Sequence, residues 1–190
     1  MRFNMLGRTG LRVPELALGL GTQVGTEDFD SKLSLCLDAG ACLVDTADAY
    51  SDGKSEELLG QVLAGRRDRV LLSTKATYRV GPGENDLGSS RHHLINACEA
   101  SLRRLRTEWI DFYQLHAPDL YTRPEETMRA MDDLVRSGKV RYIGCSNYSG
   151  SQVMRAQWAA DSLRLQPFTF QQCPLLKCRT AVQVEAVQKV

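Results

Sequence analysis

The sequence predicts an α/β fold built on a parallel sheet. Short apolar strands alternate with longer amphipathic segments from Glu15 onward, at the spacing of consecutive strand–helix units. A Gly-containing opening, Met5 to Val13, reads as a short hairpin ahead of the first unit. The first strand-to-helix turn, Gly19-Leu20-Gly21-Thr22-Gln23-Val24-Gly25, has G-x-G but reaches its third glycine one residue too late for a dinucleotide fingerprint. An open doubly wound sheet and a closed barrel both fit the alternation, and the altered turn weighs against a Rossmann domain.

The elements follow in order. Glu15 to Gly21 is the first strand. Asp28 to Ala39 sets charges against Leu33, Leu35 and Leu37 and reads as a helix that Gly40 ends. Cys42 to Thr46 is the second strand, and Ser55 to Ala64 the second helix, with Ser55 as N-cap and Gly65 as stop. Val70 to Lys75 is the third strand. Ser90 to Leu105 is the third helix, with Leu94, Ala97, Cys98, Ser101, Leu102 and Leu105 at helical spacing. Ile110 to His116 is the fourth strand, and Pro124 to Ser137 the fourth helix, with proline at a tolerated first-turn position. Val140 to Ser146, Ser151 to Ala160, Phe168 to Leu175 and Ala181 to Val190 continue as strand, helix, strand and the start of a sixth helix.

Composition bounds the function. The chain has 190 residues, 43% hydrophobic and 25% charged, which suits one globular domain over residues 1–190. A net charge of +1 suggests neither a nucleic-acid nor a membrane partner. Apolar runs fall far short of the roughly 18 residues that span a bilayer. The opening Met1-Arg2-Phe3-Asn4-Met5 lacks an apolar signal core, so a cytoplasmic location is expected. The cysteines, Cys36, Cys42, Cys98, Cys145, Cys173 and Cys178, show no C-x-x-C pairing and sit mostly in apolar stretches. They read as buried thiols rather than as metal ligands or a disulfide framework, and no metal is expected.

Four reactive side chains recur at equivalent places. Asp45 lies near the end of the second strand, Tyr50 five residues later, Lys75 at the end of the third strand and His116 at the end of the fourth. In a βα barrel the strand C-termini share one face, where active sites sit. A lone strand-end Asp is more often a turn former, and a lone loop Tyr more often a packing residue. A strand-end Lys is rarer inside a protein, and the four together point to chemistry. A phenol is a slow acid near pH 7, and a nearby ammonium favours its phenolate. Lys75 can supply that charge, and Asp45 can hold Lys75 protonated and oriented. Tyr50 can then protonate a carbonyl oxygen, with His116 donating a hydrogen bond to the same oxygen. His92 and His93 fall within the third helix and read as surface or groove residues.

The residues here resemble the aldo-keto reductase family. Val44-Asp45-Thr46-Ala47-Asp48-Ala49-Tyr50 carries the resemblance, with Gly53 and Ser55-Glu56-Glu57-Leu58-Leu59-Gly60 after it. So do Ser73-Thr74-Lys75, Asp111 to His116, Gly138 to Asn147 and the opening Leu6 to Val13, in register from about residue 3 to residue 177. The resemblance implies a TIM-type (β/α)8 barrel, of which about six βα units are present behind the short N-terminal hairpin. It implies NADPH-dependent reduction of an aldehyde or ketone, with Asp45, Tyr50, Lys75 and His116 as the catalytic tetrad. It places nicotinamide carboxamide contacts on Ser146 and Asn147, and Gly21, Thr22 and Asp45 along the cofactor. The family also resembles the β-subunits of potassium channels, so a cofactor-binding or partner-binding module with little turnover is the alternative.

Two departures stand out. The family's nicotinamide-contacting Gln on the sixth strand aligns with Phe170, whereas Gln171 takes the role if one residue is missing, and the resemblance is read as placing the contact on Gln171. A barrel of this type takes about 250 residues, and the seventh and eighth strands, which in the family carry the cofactor's phosphate clamp, are absent. The chain is then expected to be a piece of a longer enzyme, a short product of low activity, or a protomer that pairs its open edges with another chain. The loop from Tyr78 to Ser89 is expected to line the substrate mouth.

Overall fold

The structure, a computed structural model, describes residues 1–21 and 26–174. The strands are β1 (Phe3–Met5), β2 (Arg12–Pro14), β3 (Ala17–Gly19), β4 (Leu43–Asp45), β5 (Leu71–Ala76), β6 (Ile110–Leu115), β7 (Val140–Ser146) and β8 (Phe170–Gln172). The helices are α1 (Thr26–Asp38), α2 (Lys54–Val62), α3 (Arg91–Leu105), α4 (Pro124–Arg136) and α5 (Gly150–Leu163). β1 and β2 form the antiparallel hairpin, and β3 to β8 form one parallel sheet in which every strand pairs with its neighbour in sequence.

That sheet is a curled half-barrel. β4 and β8 are four strands apart, which in a flat sheet would separate them by about 19 Å. Instead the Gln172 amide reaches the Asp45 carboxylate at 3.3 Å. The inner face is therefore concave, and the side-chain alternation of each strand decides what lines it. In β5, Leu72 and Thr74 point to the helices while Ser73 and Lys75 point inward; in β6, Tyr113 and Leu115 join the helix-packed core while Phe112 and Gln114 point inward. The outer core is a continuous apolar layer in which Leu33, Leu59, Leu94, Met131 and Val153 from the helices cover Leu72, Ile110, Tyr113 and Ile143. Burying each such side chain contributes roughly 1.5–3 kcal/mol. No helix among the described residues is long and apolar enough to cross a membrane.

The sheet and helices match the expected elements, with local corrections. Ser55 does not cap α2. The helix starts one residue earlier behind Gly53 at φ 86°, and the Ser55 hydroxyl donates to the Gly21 carbonyl at 2.8 Å. Ser90 does cap α3, accepting from the His93 amide, and Ser149 with Gln152 forms a capping box on α5. β8 is shorter than the run from Phe168 to Leu175: Phe168 is buried ahead of it, and Pro174 beyond it has no N–H to extend the ladder. The sixth helix lies outside the described residues.

Candidate active site

The parallel register brings the strand ends together. Thr46 N–H donates to the Ser73 carbonyl, Asp48 N–H to the Lys75 carbonyl at 3.1 Å, and His116 N–H to the Ala76 carbonyl at 2.7 Å. The ladder thus continues past the strands and fixes Asp45, Lys75 and His116 at one level. Lys75 is 1% exposed. Its Nζ donates to Asp45 Oδ2 at 2.6 Å and to the Thr46 carbonyl at 2.8 Å. Burial pulls the Lys75 ammonium below its ordinary range, and Asp45 opposes that shift. A buried cation of this kind persists only because its partners are in place.

Asp45 is itself held from the other side. Ser73 Oγ donates to Asp45 Oδ1 at 2.7 Å, and Gln114 Nε2 donates to Ser73 Oγ at 2.8 Å and to Asp45 Oδ1 at 3.4 Å. Sequence reading missed Ser73, Gln114 and Gln172. The signal was present, because Ser73 and Gln114 stand two residues before Lys75 and His116, on the same inward face of their strands.

Tyr50 enters on a tight turn of 3-10 helix, Tyr50–Gly53, in which Ser51 and Asp52 adopt left-handed backbone at φ 50° and 55°. Its ring centroid lies 5.6 Å from Lys75 Nζ and 5.5 Å from the His116 ring, which it meets edge-on. Tyr78 closes the other side of His116 at 4.5 Å, so at least this part of the 78–89 loop borders the site. The expected electrostatics need correction. Burial, then the charge of Asp45, pushes the Tyr50 phenol up rather than down. The carboxylate of Asp45, bonded to the Lys75 ammonium, opposes ionisation of the resting phenol. His116 is pulled down to about 4 by burial and then by Lys75, so its ring is neutral at pH 7. Its Nδ1 is buried without a hydrogen-bond partner.

Beyond the tetrad, Ser146 is buried at the end of β7, and Asn147 follows in left-handed backbone at φ 61°. The Asn147 amide donates to the His116 carbonyl and to Ser146 Oγ, both at 3.0 Å. Gln171 Nε2 donates to the Tyr148 carbonyl at 2.7 Å, and its Oε1 is buried without a partner. Strand alternation turns Phe170 and Gln172, not Gln171, toward the barrel interior. Phe170 fills the space over Gly144, where a Cβ would lie 2.6 Å from the ring. Gly21 is exposed with open space around it, and Thr22 lies outside the described residues.

A second buried polar group underlies the site. Glu56 is fully buried, accepting from Thr74 Oγ1 at 2.5 Å and from the Arg104 guanidinium at 2.7 Å. Asp48 lies beside them with both carboxylate oxygens buried and without hydrogen-bond partners, and burial followed by Glu56 pushes it up to about 8. Among the described residues no group of three or more His, Cys, Asp or Glu could hold a metal ion.

A family model described as "Aldo/keto reductase family" matches residues 17–181. Two relatives, each a "Probable voltage-gated potassium channel subunit beta", come from Arabidopsis thaliana and from Oryza sativa subsp. japonica. Each is 38% identical over 172 residues, covering 87% of this chain and 52% of the relative. The chain therefore spans about half the length of the relatives it matches.

Proposed function

Because the chain belongs to the aldo/keto reductase family, we propose that it works as an NADPH-dependent oxidoreductase that reduces an aldehyde or ketone, with Tyr50 as the acid. The observation that carries this reading is the buried Lys75 held by Asp45 at 2.6 Å, with the Tyr50 ring 5.6 Å away. The cofactor supplies a hydride to the carbonyl carbon. Tyr50 gives its proton to the carbonyl oxygen, and the phenolate that forms faces the Lys75 ammonium. The raised resting phenol suits this role: Tyr50 is fully protonated at neutral pH, and Lys75 acts on charge only as it develops. Neutral His116 offers one N–H, and with Nδ1 enclosed by protein the donor to the substrate oxygen is Nε2. Ser146 and Asn147 suit the carboxamide of a nicotinamide, with a hydroxyl and an amide to supply donors and acceptors, whereas Gln171 stands on the other face of β8 with its amide on the Tyr148 carbonyl.

Tyr50→Phe should abolish aldehyde-dependent NADPH consumption while leaving NADPH binding intact. Unchanged turnover removes Tyr50 from the mechanism. The relatives, named as potassium channel β-subunits, favour a second reading, a cofactor-binding module that serves a partner and turns over little. NADPH fluorescence that saturates on titration, with no loss of absorbance when a reactive aldehyde is added, favours that reading.

A further inference from the structure

A net charge of +1 conceals a separation of charge along the barrel axis. The hairpin and the five segments that return each helix to the sheet (residues 1–15, 37–42, 64–70, 103–111, 136–141 and 161–169) lie at the end opposite Asp45 and Lys75. They hold thirteen Lys and Arg side chains against six Asp and Glu, an excess of seven, and four of the thirteen, Arg66, Arg104, Arg136 and Lys139, are matched by Asp30, Glu56, Asp132 and Glu99 on the adjoining helices, which leaves an excess of three. Twelve of the thirteen are arginine. Arg69 precedes β5, Arg103 and Arg106 precede β6, Arg136 and Arg141 flank the start of β7, and Arg164 precedes β8; all are exposed.

One cleft on this end concentrates the effect. The hairpin turn contributes Arg8 and Thr9, β7 contributes Arg141 and Tyr142, and the segment between α5 and β8 contributes Gln166 and Thr169. No Asp or Glu lines it. Arg8 and Arg141 are both exposed, and neither forms an ion pair among the described residues. Arg141 lies 5.9 Å from the Trp109 ring centroid, which limits where its guanidinium swings. The other polar side chain that the hairpin turn lends to the cleft is spent internally, since Thr9 Oγ1 donates to the Leu6 carbonyl and accepts from the Leu11 amide. Two arginines lining one acid-free cleft, neither of them neutralised by a carboxylate, match the oxygens of a phosphate group.

We propose that this cleft is an anion site for a phosphate group, carried by a soluble phosphorylated molecule or by a lipid headgroup. It lies on the opposite end of the barrel from Tyr50 and does not depend on the catalytic reading.

The test titrates inorganic tripolyphosphate at about 0.15 M NaCl into the Trp158→Phe chain and follows Trp109 fluorescence. A saturable change is expected. It should weaken at least about tenfold in Arg8→Ala/Arg141→Ala and stay within about twofold in Arg69→Ala/Arg103→Ala, which removes the same charge outside the cleft. Arg8→Ala alone, on an exposed turn, gives the same direction without touching β7. Sedimentation with vesicles containing phosphatidylserine separates the sources. Binding to vesicles that requires Arg8 and Arg141 assigns a lipid headgroup, and tripolyphosphate saturation without vesicle binding assigns a soluble ligand. Equal loss in both arginine pairs, or neither tripolyphosphate nor vesicle binding, overturns the site.

Discussion

Replacing Gly60 by alanine should destabilise this chain, against the ordinary preference of a helix. Gly60 is buried in the last turns of α2. In an unobstructed helix interior, alanine would be better than glycine by about 1 kcal/mol. Here an added Cβ would lie 2.3 Å from the Arg104 carbonyl oxygen and 2.8 and 2.9 Å from the Leu105 C and Cα. All three are backbone atoms, so no rotamer change relieves the clash. α2 and α3 must move apart by about 1 Å, and overpacking of this kind costs about 1–3 kcal/mol or somewhat more. The same shift would strain the bond from Arg104 to the buried Glu56, where breaking a charge pair costs about 3–5 kcal/mol. With about 2 kcal/mol of that pair lost as well, and the propensity gain set against the sum, a net loss of about 2–4 kcal/mol is expected. For a chain of this size that lowers Tm by roughly 4–16 °C. Urea denaturation followed by far-UV circular dichroism measures it, with Gly19→Ala as control, since nothing lies within 4 Å of a Cβ there. If Gly60→Ala proves as stable as the parent, the close approach of α2 and α3 is wrong.

The pH dependence of stability should contain two opposed contributions. His116 titrates near 4 in the folded chain and near 6.5 unfolded, so the unfolded state binds the extra proton between those values and stability rises with pH there. Asp48 titrates near 8 folded and near 3.8 unfolded, so the folded state holds the extra proton and stability falls as pH rises toward 8. His116→Gln should therefore flatten the acid limb, and Asp48→Asn should gain on the parent by more than about 1 kcal/mol at pH 8; chemical denaturation at pH 4, 6 and 8 reads both. Ser73→Ala removes one hydrogen bond from Asp45, worth about 1 kcal/mol, and should lower kcat about fivefold with KM for NADPH unchanged. Ser149→Ala removes the α5 cap and should cost about 1 kcal/mol by denaturant titration.

Most of the barrel could be read from the sequence because parallel strands and their helices impose different apolar periods. Leu94, Ala97, Cys98, Ser101, Leu102 and Leu105 repeat at helical spacing, and all are buried in α3. Helix ends were less legible. Ser55 has the chemistry of a cap, yet its hydroxyl is taken by Gly21, 34 residues away, a tertiary contact that no local pattern announces. The placement of Asp45, Lys75 and His116 followed from strand ends alone. The electrostatics did not, since the phenol of Tyr50 responds to burial first and to the charge of Asp45 next, and neither can be read from strand ends. Which of Gln171 and Gln172 faces the barrel depends on strand parity. A short strand ended by Pro174 leaves that parity open in sequence and closed in three dimensions.

The strand order has a consequence for how the chain folds. Asp45 pairs with Ser73, Ser73 with Phe112, Phe112 with Tyr142 and Gly144 with Phe170. These closures span 28, 39, 30 and 26 residues, the differences between the paired numbers, so their chain-entropy costs differ by only about 0.4 kcal/mol. No closure must wait for a distant one. The sheet can lengthen one strand at a time from its N-terminal edge, each finished strand offering the template for the next. The site would then assemble in the order of its residues: Asp45 and Tyr50 first, Lys75 once β5 docks, His116 once β6 follows. The ammonium of Lys75 enters the interior only after the carboxylate that receives it is in place.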